Sequence, residues 1–109
     1  MYSLAWETPV FDGRLKAPHA LDLPFVFDNT EVAEATAGAP GAGDLAATMS
    51  ASWAAFARTG SPATAGLPDW PSYTAEKRAV MVFDRECRTV TDSDRDARLL
   101  WARIATGAV

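Results

Sequence analysis

The chain has 109 residues and is 49% apolar, with 10 basic and 14 acidic side chains and a formal charge of −4. That size and composition fit one globular domain, or one piece of a larger one, and are too apolar for a disordered tail. The acidic, interspersed charge excludes the basic stripe a nucleic-acid partner would need, and no apolar run is long enough to span a bilayer. One cysteine, Cys87, and one histidine, His19, rule out an internal disulfide framework and leave no ligand pair at zinc spacing. No cofactor motif is present, neither a phosphate loop nor a dinucleotide fingerprint. No signal-peptide pattern opens the chain, which sets the expectation of a cytoplasmic location.

Residues 2–8, Tyr-Ser-Leu-Ala-Trp-Glu-Thr, read as a strand ended by Pro9. The next good strand candidate lies far along the chain, so Trp6 and the strand's edges are expected to face water. Residues 9–24 form a loop punctuated by Pro9, Gly13, Pro18 and Pro24, with a short apolar Phe25-Val26-Phe27 beyond it. Residues 36–43, Thr-Ala-Gly-Ala-Pro-Gly-Ala-Gly, read as a flexible connector. A helix is expected over 44–60, with Asp44 as N-cap and Gly60 closing it; Leu45, Met49, Trp53, Phe56 and Ala57 would form its core-facing stripe. Residues 61–75 are loop, with Trp70 and Tyr73 set among prolines. Residues 79–84 and 89–91 predict a small hairpin with Cys87 at its turn, where no neighbouring histidine could activate the thiol. Asp92 is expected to cap a last helix through Ile104, with Leu99, Leu100 and Ile104 on its apolar face.

His19 is the side chain best suited to move a proton near neutral pH. Used as a base, an imidazole needs a nucleophile and an orienting carboxylate. No Gly-x-Ser-x-Gly turn or Gly-Gly-Gly oxyanion loop occurs in the chain. Whatever His19 does, this chain carries at most one member of such a constellation.

Several stretches carry a resemblance in matching order and spacing. They are Trp6-Glu7-Thr8-Pro9; Gly13 and then Lys16-Ala17-Pro18-His19-Ala20-Leu21-Asp22-Leu23-Pro24-Phe25-Val26-Phe27; residues 49–62 with Phe56-Ala57-Arg58-Thr59-Gly60; 67–73; and Val80-Met81-Val82-Phe83-Asp84. The chain resembles the C-terminal region of the type-B carboxylesterases, the family of para-nitrobenzyl esterases related to the cholinesterases. The resemblance implies an α/β fold, specifically the C-terminal part of an α/β-hydrolase. One core strand and the histidine loop would occupy 1–35, the connector 36–43, a helix 44–60, and loop, hairpin and terminal helix 61–109. It implies that His19 is the triad histidine, with the serine, triad acid and oxyanion loop lying upstream of Met1. Asp22 matches an acidic position three residues on, expected to support the loop and not to orient the imidazole, because the family's triad acid lies well upstream. The implied partners are a small carboxylic ester and the preceding part of the hydrolase, and the isolated chain is expected to be inactive. Two other readings stay open: a non-catalytic cholinesterase-like interaction module, and a small autonomous α/β binding domain using Trp70 and Tyr73.

Overall fold

Strand β1 (Tyr2–Leu4) pairs in parallel with β2 (Ala79–Phe83), Tyr2 opposite Met81 and Leu4 opposite Phe83. Parallel neighbours need a long crossover, and most of the chain lies between these two strands. Strand β3 (Arg88–Thr91) returns antiparallel to β2, giving the sheet order β1-β2-β3. All five residues of β2 are buried, as a central strand covered on both faces should be. The computed structural model describes residues 1–107; residues 108 and 109 of the expected 61–109 segment lie outside them.

The expected strand over 2–8 is shorter. After Leu4 only the Ala5 amide still bonds to the sheet, at 2.8 Å from the Phe83 carbonyl, where β2 ends. The chain then turns, and the Thr8 amide bonds the Lys16 carbonyl at 3.0 Å. Trp6 does not face water: it is 1% exposed, because the loop that follows folds back over it. Its ring meets Phe25 edge-on at 5.0 Å. Its indole N–H has no acceptor among the described residues, so the ring is held by shape.

Phe25 belongs to a one-turn helix, α1 (Leu23–Val26), which replaces the unassigned apolar segment of the sequence reading and adds a third helix to the two expected. Pro24 at the start of the helix suits this, since proline's fixed φ favours a first turn. Residues 36–43 are a succession of turns, with Thr36 buried and its hydroxyl donated to the Thr30 carbonyl at 2.8 Å. The last two of them already belong to α2 (Ala42–Thr59).

Helix α2 starts from Gly41, with φ 78°, and not from Asp44, which lies in its first turn where a carboxylate complements the helix dipole. Gly60 ends it at φ 77°, its amide bonded to the Phe56 carbonyl. The buried face is Ala42, Leu45, Ala46, Met49, Ser52 and Ala55. It is rotated from the expected stripe: Trp53 is half-buried and Phe56 is 58% exposed. Small residues let α2 lie close against its neighbours, and the Ser52 hydroxyl is satisfied within the helix by the Thr48 carbonyl. Trp6, Leu21 and Phe25 pack with Leu45, Ala46 and Met49 of α2 and with Met81 and Phe83 of β2 to form the core.

Helix α3 (Arg95–Ala105) has no buried residue; Leu100 and Ile104 on its expected apolar face are exposed, as is Trp101. Asp92 does not cap it. Asp94 stands before its first turn, without a side-chain capping bond, while Asp92 accepts two hydrogen bonds from Arg98, at 2.9 and 2.6 Å, with Arg78 at 3.8 Å. The Arg98 guanidinium holds the Asp92 carboxyl below its ordinary value of 3.8. A depressed carboxyl stabilises the fold above its unfolded pKa, and that contribution fades as pH falls through the folded value. Asp92→Asn is therefore expected to loosen α3 at neutral pH, seen as modestly faster amide exchange confined to 95–105. In the unsubstituted chain the same change should appear only in acid.

Candidate functional site

His19 sits in a loop tied at both ends to the first residues of the chain. At its start, Thr8 N–H bonds the Lys16 carbonyl, and the Lys16 ammonium meets Glu7 at 3.0 Å. The Thr8 hydroxyl is donated onward to the Ala35 carbonyl at 2.6 Å, fixing the other side of the buried threonine. At the loop's end, the Tyr2 hydroxyl donates to Asp22 Oδ2 at 2.7 Å. Between these ties the Leu21 amide bonds the Pro18 carbonyl and the Leu23 amide bonds the Ala20 carbonyl, both at 3.2 Å. Leu21 is buried in the core, so the loop is anchored by packing as well.

The backbone on both sides of His19 is left-handed: Lys16 has φ 56° and Ala20 has φ 66°. For residues with a Cβ this conformation costs roughly 1–2 kcal/mol each. The same conformation occurs at Phe11, Asp12, Asp28, Arg78 and Asp92, so it accompanies tight turning in several loops of the chain. The His19 side chain is exposed and makes no hydrogen bond or ion pair among the described residues.

Asp22 is half-buried. Its carboxylate is engaged by Tyr2, whose ring packs edge-on against Trp53 at 4.8 Å and Phe83 at 6.1 Å. The hydrogen bond to Asp22, with burial and the nearby negative charge, pushes the Tyr2 phenol up to about 12. A cleft of ≈ 250 Å³ opens between β1 and this loop, lined by Tyr2, Leu4, Pro18, Leu21 and Asp22 among others. A larger cleft, ≈ 580 Å³, between the start of α2 and the β2–β3 turn includes neither His19 nor Asp22. It does contain Cys87, which is half-buried with its thiol toward the Asp84 carbonyl.

Tyr2 was not singled out by the sequence, because nothing local relates residue 2 to residue 22. Trp70 packs on Phe83 at 5.6 Å, its indole donates to the Met1 carbonyl at 3.1 Å, and with Tyr73 it lines a cleft of ≈ 240 Å³. Tyr73 is partly exposed. No group of three or more potential metal-ligating side chains exists among the described residues, and no described helix is long and apolar enough to cross a membrane.

The family model of the carboxylesterases matches residues 1–100. The chain belongs to the carboxylesterase family. The para-nitrobenzyl esterase of Bacillus subtilis (strain 168) is 35% identical over 103 residues, covering 90% of this chain and 20% of that protein. Among solved structures, an esterase from Clostridium hathewayi that can hydrolyze aliphatic aromatic polyesters superposes with a TM-score of 0.80 at 34% identity, covering 86% of this chain and 19% of that one. A Geobacillus stearothermophilus carboxylesterase at pH 6.2 gives a TM-score of 0.77 at 40% identity, covering 93% and 21%. This carboxylesterase chain thus spans about a fifth of the length of the relatives it matches, and its three strands and helices form part of an α/β-hydrolase fold.

Proposed function

We propose that this chain supplies the histidine base of a serine carboxylesterase, acting as one part, 1–109, of a carboxylesterase domain. The observation that carries the reading is the His19 loop: an exposed imidazole on a loop tied at both ends to β1 and the turn after it. A general base must stand within hydrogen-bond reach of the proton it takes, and an anchored loop fixes where it stands. Chain order agrees, since α/β-hydrolases place the histidine after the serine and the acid, and His19 follows strand β1.

In the complete site His19 takes the proton of the serine hydroxyl as it attacks the ester carbonyl. The imidazolium then returns that proton to the departing alkoxide. In the second half His19 takes a proton from the water that attacks the acyl-enzyme, and the imidazolium returns it to the serine oxygen as the acyl bond breaks and the acid leaves. The serine, the orienting acid and the oxyanion donors come from the portion of the enzyme that the relatives carry outside the matched region. Asp22 supports the loop through Tyr2. The substrate class is carboxylic esters.

A hybrid tests this directly. This chain replaces the matched fifth of the Bacillus subtilis para-nitrobenzyl esterase, and hydrolysis of a chromogenic short-chain ester is followed. The hybrid is expected to turn over, and residues 1–109 alone to give no turnover above background. A folded hybrid without activity, or a purified 1–109 whose activity disappears in His19→Ala, would contradict the reading.

A further inference from the structure

We propose that Tyr2 is a positioning residue for His19: its phenol, held on edge between α2 and β2, hydrogen-bonds Asp22 and so fixes where the histidine loop stands relative to β1. The inference rests on the reading of His19 as the base and extends it to a residue that the sequence left as part of a strand.

The His19 side chain makes no hydrogen bond or ion pair among the described residues, so within this chain the backbone on either side sets where it stands. That loop has three polar ties to the start of the chain, two of them at Lys16, whose ammonium also meets Glu7 at 3.0 Å. The other tie at Lys16 is the Thr8 amide to its carbonyl at 3.0 Å, three residues before His19; the third is the Tyr2 hydroxyl to Asp22 at 2.7 Å, three residues after it. Tyr2 is well suited to the third. Its backbone is locked in register opposite Met81, and its ring is wedged against Trp53 of α2 and Phe83 of β2, which themselves lie 6.1 Å apart. The phenol, on a residue 38% exposed, therefore reaches from the sheet-and-helix layer into the loop. The raised phenol pKa, about 12, agrees with a hydrogen bond made in the folded state. Engaging Asp22 also keeps a carboxylate three residues from His19 pointed at β1, leaving the imidazole to an acid contributed from elsewhere. A displacement of about 1 Å at a catalytic group costs on the order of a hundredfold in rate, so one tie can matter without touching substrate.

The experiment compares Tyr2→Phe, Asp22→Asn and Asp22→Leu in the full 109-residue chain and in the hybrid esterase. Tyr2→Phe keeps the ring on its neighbours and loses only the donor. Asn keeps an acceptor for the phenol without the charge, and Leu keeps neither. In the full chain the Leu21 and Leu23 amides should exchange about tenfold faster in Tyr2→Phe and Asp22→Leu, with β2 amides unchanged, and near the unsubstituted rate in Asp22→Asn. The Tyr2 phenolate absorbance should move from about 12 back toward 10.0 in Asp22→Leu. In the hybrid, Tyr2→Phe should lower kcat by about ten- to a hundredfold with KM within about twofold, while Asp22→Asn stays within about threefold. Loop exchange unchanged in Tyr2→Phe, or Asp22→Asn as damaging as Asp22→Leu, would overturn the positioning role while the unsubstituted hybrid's turnover upholds His19 as base. An inactive unsubstituted hybrid, with loop exchange responding as expected, would instead overturn the reading of His19 and with it any catalytic consequence of the tie.

Discussion

His19→Ala in the hybrid esterase is expected to lower kcat by about 10⁴- to 10⁶-fold while leaving KM nearly unchanged. The size follows from how the residue would be used. The same imidazole moves a proton in both acylation and deacylation, so its loss raises both barriers. Its contribution is made in the transition state, where the serine proton is in flight, and only such interactions raise kcat. In the 109-residue chain the exposed side chain makes no hydrogen bond or ion pair among the described residues, so there the substitution should leave the thermal midpoint unchanged. Circular dichroism melts measured beside the kinetics separate lost chemistry from lost fold. Asp22→Asn, by contrast, should cost far less, because an acceptor for Tyr2 remains.

Phe25→Ala should be close to unfolding. Phe25 is completely buried, its ring meets Trp6 edge-on at 5.0 Å, and the short α1 that carries it has no other buried residue. Truncating a buried phenylalanine costs about 3–5 kcal/mol, against a total of about 5–15 kcal/mol for an ordinary domain. The aromatic pair adds about 0.5–1.5 kcal/mol to what area alone predicts. Phe56→Ala is the matched control. Phe56 is 58% exposed, so its truncation should fall within about 0.5 kcal/mol of neutral. Urea unfolding of the two variants distinguishes the observed core from the one the helical spacing suggests: equal losses would mean that the stripe through Trp53 and Phe56 is the buried one.

The elements that the sequence disclosed best are those whose signal is local. The run Ala-Val-Met-Val-Phe at 79–83 is a central strand, and an unbroken apolar run is what burial on both faces demands. Gly60 marks the end of α2 because a left-handed closing residue favours glycine. The face of α2 was less legible. Leu45, Met49, Trp53 and Phe56 fit one helical stripe, but the alternative through Ala42, Ala46, Ser52 and Ala55 overlaps it, and close packing favours the smaller side chains. Trp6 was misjudged for a different reason. Its cover comes from Leu21, Phe25 and α2, all brought to it by tertiary folding, which the strand pattern at 2–8 does not contain. Asp92 looked like a cap from its spacing, yet it is drawn to Arg98 and Arg78, and a guanidinium fork offers a carboxylate more than a helix amide does. At the site, His19 and Asp22 stood out from residue type, spacing and family resemblance. Tyr2 did not, since its link to Asp22 exists only once β1, α2 and the loop have come together.

Chemical rescue tests the central claim, that the imidazole of His19 is the base, most directly. Turnover of the His19→Ala hybrid is measured with increasing free imidazole. Removing the imidazole leaves a space of its own size at the site, which a free imidazole fits. Free imidazole lacks the anchoring of the loop, so recovery should be partial and rise with concentration, short of the large effective molarity of a tethered group. The account predicts near-complete loss in His19→Ala and a concentration-dependent return with imidazole; a His19→Ala hybrid that hydrolyses ester at the unsubstituted rate would contradict it.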